Sequence, residues 1–72
     1  MKTLDDYTVV VMPDDGTWVA YVPAMDGCQA MGETPESARR ELEGVFDAFR
    51  SIFEEDGLPL PPDVKALTPV AG

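Results

Sequence analysis

Few side chains in this sequence could carry chemistry. There is one thiol, Cys28, no histidine, and fourteen carboxylates against five basic residues. A cysteine nucleophile needs its proton removed, and imidazole is the usual base. Cys28 has no imidazole to activate it and falls in a segment that reads as a strand, where it serves as a small apolar residue. Ser37 and Ser51 have no visible base partner either. The missing histidine also removes the commonest metal ligand. Gly27 and Gly32 flank the cysteine segment, but they complete neither a GxGxxG nor a P-loop, so a phosphate cradle has no support. Trp18 and Tyr21 could line a small-molecule pocket, although packing in a core or subunit contact is the simpler role. The expectation is a chain that is not an enzyme and holds no cofactor or metal.

The carboxylates point instead to recognition. The net charge is −9, which repels nucleic-acid phosphates. The same charge would steer a basic protein toward the chain, or it merely keeps a small protein soluble. Two acidic groups stand out. Asp14 and Asp15 fall in a turn just before Trp18. Glu54, Glu55 and Asp56 close a helix at the end where the dipole favours cations. Each group reads either as solvated surface or as a docking point for a basic partner. Asp14, Asp15, Trp18, Glu54, Glu55 and Asp56 are therefore the candidate partner-contact residues.

These residues need elements to position them. YTVVVM, Tyr7 to Met12, is rich in β-branched and aromatic residues and predicts a strand buried on both faces. Pro13-Asp14-Asp15-Gly16 reads as a turn, and Thr17 to Val22 as the second strand of a hairpin closed by Pro23. Met25-Asp26-Gly27 is a second turn, followed by a short strand from Cys28 to Met31. Thr34 is an N-cap and Pro35 the first helical residue. Ser37 at the third helical position leaves the full capping box unmet. The helix is expected from Pro35 to about Asp56. Ala38, Leu42, Val45, Phe46, Phe49, Ile52 and Phe53 form one apolar face, and truncating Phe46 or Phe49 to alanine is expected to cost about 3–5 kcal/mol. Gly44 in mid-helix either admits a close neighbour or is a tolerated defect of about 1 kcal/mol. Gly57 suits the helix C-terminus. After the extended LPLPPD, Val64 to Val70 predicts a final strand at an edge. The order is β-β-β-α-β, an α+β fold with a three-stranded antiparallel sheet, one long helix on one face and a fourth strand. Residues 1–72 make one domain.

One helix covers one face of such a sheet. The first two strands carry apolar residues on both sides, Tyr7, Val9 and Val11 against Val10 and Met12 in the first, and Trp18, Ala20 and Val22 against Val19 and Tyr21 in the second. The second apolar face needs a cover, so a homodimer or higher oligomer is expected, or another protein as partner. No run approaches the roughly 18 apolar residues of a membrane span, and MKTLDDYT lacks the apolar stretch of a secretory signal. A single cysteine fits a reducing, cytoplasmic setting.

Several of these pieces together resemble the HicB family of antitoxins. They are Tyr7, the Asp15-Gly16 turn, Trp18 to Pro23, Gly27-Cys28, Ala30, Gly32-x-Thr34 before a long helix with Glu36 and Ala38, and the exit Pro59 to Pro62. The resemblance spans Tyr7 to about Pro62. It implies a partial RNase H-like fold and an antitoxin that binds and masks HicA, a small basic ribonuclease toxin, by covering its catalytic and RNA-binding surface. Longer members add a DNA-binding domain after the proline-rich exit. Too little sequence follows Pro62 here for a helix-turn-helix, so repression of its own operon is not expected. RNase H-like nucleases gather metal-binding carboxylates at the first strand, the helix and the fourth strand. Thr8 to Val11 and Val64 to Val70 contain none, so the fold is expected without that chemistry.

Overall fold

The structure is a computed structural model that describes residues 2–64. The final strand expected over Val64 to Val70 falls, beyond Val64, outside the described residues. A 3₁₀ turn, Leu4–Asp6, precedes strand β1 (Val10–Asp14). It is followed by β2 (Thr17–Tyr21), β3 (Gln29–Gly32) and helix α1 (Pro35–Glu55). The sheet is an antiparallel meander in the order β1-β2-β3. Its three strands and single long helix make the expected α+β fold.

The β1–β2 hairpin is tighter than Pro13-Asp14-Asp15-Gly16. Asp15 and Gly16 alone make the turn, with φ of 48° and 88°, the left-handed pair that matches strand twist in a two-residue hairpin. Pro13 and Asp14 therefore join β1, opposite Trp18 and Thr17. Proline is tolerated there because β1 is an edge strand among the described residues. The expectation of a strand buried on both faces is corrected, since Met12 is 46% exposed. At its other end β1 begins three residues later than Tyr7. After Tyr21 the chain turns away, and the Val22 N–H bonds to the Cys28 carbonyl at 3.0 Å, so Tyr7 to Val9 have no partner in β2.

The start of α1 departs from expectation in a second way. The Thr34 side chain accepts the Ser37 N–H at 3.0 Å, and the Ser37 hydroxyl accepts the Thr34 N–H at 3.0 Å. Serine thus closes the reciprocal cap, because its oxygen can accept where a glutamate carboxylate more often does. The helix buries Ala38, Leu42 and Phe46 against the sheet, together with Ala20, Val22, Cys28, Met25, Leu4 and Tyr7. Small residues set the approach. A Cβ on Gly32 would lie 2.8 Å from the Ala38 Cα and would clash with the Ser37 hydroxyl and Ala38 nitrogen. Farther along, the Phe49 ring reaches Gly27 at the β2–β3 connection, 3.7 Å from where a Cβ would stand. Beyond Phe49 the sheet has ended. Ile52, expected on the buried face, is 55% exposed. Gly44 has no neighbouring atom within 4 Å of where a Cβ would stand, so it does not serve a close approach of the sheet.

Candidate functional site

The two faces of the sheet differ completely. Register places Val11, Ala20 and Ala30 on the helix side, and Val10, Tyr21 and Gln29 on the other. Met12, Val19 and Met31 share that second face. No described element covers it. Met31 is 55% exposed, and Met12, Val19, Tyr21, Gln29 and Met31 line an open depression with Pro13 and Asp14 at its end. The second apolar face expected from the strand pattern is present and bare among the described residues. Its one formal charge, Asp14, stands at the rim.

The charges collect on the opposite side. From Glu36 to Asp56 the helix carries Glu36, Glu41, Glu43, Asp47, Glu54, Glu55 and Asp56 on exposed positions, against Arg39, Arg40 and Arg50. Two of these arginines are engaged with carboxylates. Arg39 reaches Asp5 at 2.8 Å and Glu43 at 3.2 Å, and Arg50 reaches Asp47 at 3.2 Å. Exposed pairs of this kind add little stability, but they neutralise most of the helix's positive charge. What remains is an anionic surface that ends in Glu54-Glu55-Asp56, a last turn without a basic residue.

The six candidate contact residues do not form one site. Asp14 and Asp15 are exposed at the hairpin tip, with Trp18 half-buried beside them and packed toward the core. Gly32 pairs with Trp18 and abuts the start of the helix, so the hairpin tip lies near the N-terminal end of α1. Glu54, Glu55 and Asp56 are one helix length away, about 30 Å for 21 residues. Any one partner touching both groups would have to span the molecule.

Cys28 is buried, 1% exposed, and desolvation raises its pKa above the ordinary thiol value. An enclosed thiol of this kind packs as a small apolar core residue. Tyr7 is also raised, first by burial and then by the charges of Asp63 and Asp6. Its ring tilts at 58° against Phe46, 5.5 Å between centroids, and its hydroxyl donates to the Pro61 carbonyl. The Lys2 ammonium stands over the same ring, 5.3 Å from its centroid. Asp63 completes this contact between the segment before β1 and the segment after α1. One of its carboxylate oxygens accepts the Thr8 N–H at 3.0 Å and the other accepts the Thr8 hydroxyl at 2.9 Å. The sequence pattern gave no sign of this clasp, because a single aspartate after two prolines looks like any solvated loop acid. Among the described residues no three histidine, cysteine or carboxylate side chains are grouped to hold a metal ion, and no helix is long and apolar enough to cross a membrane.

The UPF0150 protein ssl0259 of Synechocystis is 37% identical to this chain over 57 residues, covering 78% of each. No family model and no solved structure matches the chain.

Proposed function

The chain belongs to the UPF0150 family, and from that membership we propose that it is a HicB-like antitoxin, a non-catalytic protein that binds and occludes a small basic ribonuclease of the HicA type. The observation that carries this reading is the anionic helix surface. Its arginines are largely spent on internal pairs, so a basic partner meets uncompensated carboxylates. Opposite charge speeds encounter and disfavours wrong partners more than it adds affinity. The resemblance of Tyr7 to Pro62 to HicB antitoxins supports the same conclusion. Inhibition then needs no chemistry from this chain, only a surface large enough to cover the toxin's RNA-binding face.

The reading expects a short basic protein to be encoded beside this one, and the test is RNA cleavage by that protein titrated with the purified chain. Cleavage is expected to cease near equimolar antitoxin. Glu54→Lys combined with Glu55→Lys is expected to weaken inhibition by about tenfold or more through lost attraction. Undiminished cleavage at large excess would refute the reading. A second reading has its own support in the uncharged open sheet face, which attraction to a basic toxin does not use. On that reading the chain is an oligomeric binding module without a toxin, and no basic ribonuclease would be encoded nearby.

A further inference from the structure

We propose that Asp15-Gly16, at the tip of the β1–β2 hairpin, is a spontaneous modification site, where the folded chain converts aspartate to isoaspartate ahead of its other Asp-Gly pairs. Three such pairs occur in the sequence, Asp15-Gly16, Asp26-Gly27 and Asp56-Gly57. Asp-Gly favours this change because glycine has no side chain to hinder its nitrogen or its rotation. The glycine nitrogen attacks the side-chain carboxyl carbon of the preceding aspartic acid. A C–N bond forms, a C–O bond breaks, and one water leaves with the amide hydrogen and the carboxyl hydroxyl. Water then adds to the five-membered imide at either carbonyl. One product is the original aspartate, and in the other the main chain runs through the side-chain carboxyl. No oxidant or cofactor takes part.

Ring closure needs a glycine nitrogen free of hydrogen bonds and an Asp–Gly link that can rotate, and the fold separates the three pairs on both counts. Asp56-Gly57 is wound into the end of α1. The Asp56 N–H donates to the Ile52 carbonyl at 3.1 Å, the Gly57 N–H to the Glu54 carbonyl at 3.1 Å, and the Leu58 N–H to the Phe53 carbonyl at 2.8 Å. Asp26-Gly27 is clamped by its neighbours. Met25 and Cys28 are buried, the Cys28 N–H closes the turn on the Met25 carbonyl at 3.0 Å, and the Phe49 ring reaches Gly27. Asp15-Gly16 has no such restraint. Asp14, Asp15 and Gly16 are all exposed, and nothing lies within 4 Å of a Cβ position on Gly16. The pair lies beyond the last ladder pair, Asp14 opposite Thr17, so its rotation moves no core side chain. Isoaspartate would lengthen the main chain of a two-residue loop whose left-handed conformation matches the strand twist. It would also shift the Asp15 carboxylate, a candidate contact, while the acids at the end of α1 stay as they are.

This inference does not depend on toxin binding. The full chain, held in neutral buffer at physiological temperature and sampled over weeks, tests it. Peptides are scored by electron-transfer fragmentation, which distinguishes the two isomers. A purified isoaspartyl methyltransferase gives a second readout, since it places the labelled methyl group of S-adenosylmethionine on the isoaspartyl carboxylate. Isoaspartate is expected to accumulate severalfold faster at Asp15 than at Asp26 or Asp56. In guanidinium chloride, where all three links rotate freely, the three rates are expected to converge. Asp15→Gly keeps a turn that two glycines also make and is expected to remove most of the methyl incorporation of the folded chain. The proposal is overturned if Asp26 or Asp56 keeps pace with Asp15 in the folded chain, or if Asp15 stays unmodified while the denatured chain reacts. It is equally overturned if Asp15 leads by the same factor in denaturant, which would assign the preference to local sequence rather than to the fold.

Discussion

Asp63 carries more of this structure than its place in a proline-rich exit suggests. It is buried, and its carboxylate takes both the N–H and the hydroxyl of Thr8. Hydrogen bonds to a charged acceptor are worth about 1.5–3 kcal/mol each, and an orphaned buried donor adds a penalty. Asp63→Ala is expected to cost about 2–4 kcal/mol, read from the urea midpoint, and Thr8→Val, which removes only the hydroxyl bond, roughly half of that. The two phenylalanines expected to be equivalent are not. Phe46 is 1% exposed whereas Phe49 is only half-buried. Phe46→Ala should cost about 3–5 kcal/mol, and Phe49→Ala clearly less. The thiol and the phenol also set a pH limit. Cys28 and Tyr7 both hold their protons in the fold at pH values where the unfolded chain releases them. The unfolded state then binds fewer protons, so stability is intact below the ordinary pKa values and falls as pH rises past them, from about 8.5 for the thiol and about 10 for the phenol. Urea midpoints measured at neutral and alkaline pH should decline in that order, and Cys28→Ala should remove the first part of the decline while the second persists.

Gly32 and Gly44 look alike as letters in the sequence but sit in opposite surroundings. A Cβ at Gly32 meets the backbone of Ala38, which cannot give way without moving the start of α1 off β3. A Cβ at Gly44 meets nothing. Gly32→Ala is expected to lower thermal stability markedly, by a few kcal/mol for displaced backbone, and Gly44→Ala to raise it by about 0.5–1 kcal/mol. Opposite shifts in melting temperature would confirm the close helix–sheet approach, and equal shifts would contradict it. Periodicity located β2, β3 and α1 to within a residue or so, because side-chain spacing and the Thr34-Pro35 start are local signals. It misplaced both ends of β1, because a strand's ends depend on where its partner runs. The Leu4–Asp6 turn was missed for a related reason: its buried anchor Leu4 and the Asp6 carboxylate that accepts the Thr3 N–H at 2.8 Å leave only a short polar-looking stretch in the sequence.

Among the described residues the molecule has one apolar face, charged only at its Asp14 rim, and one anionic face on the helix side. Salt should separate their roles. Raising ionic strength screens exposed charges, so capture of a basic partner should weaken steeply, while apolar self-association should hold or strengthen. Titrating both by sedimentation in low and high salt checks this, and parallel weakening would mean that one surface serves both. Sequence alone determined the order of the three described strands and the helix, the helix's apolar stripe, the two-sided apolar character of the first strands and the strong negative charge, since each is fixed by residue type and local spacing. Tertiary structure alone decided where β1 begins and ends, which phenylalanine is sealed, that Asp63 grips Thr8 from 55 residues away, and that the hairpin acids and the helix-end acids stand at opposite ends. Those outcomes depend on where distant segments meet, and no local spacing encodes that.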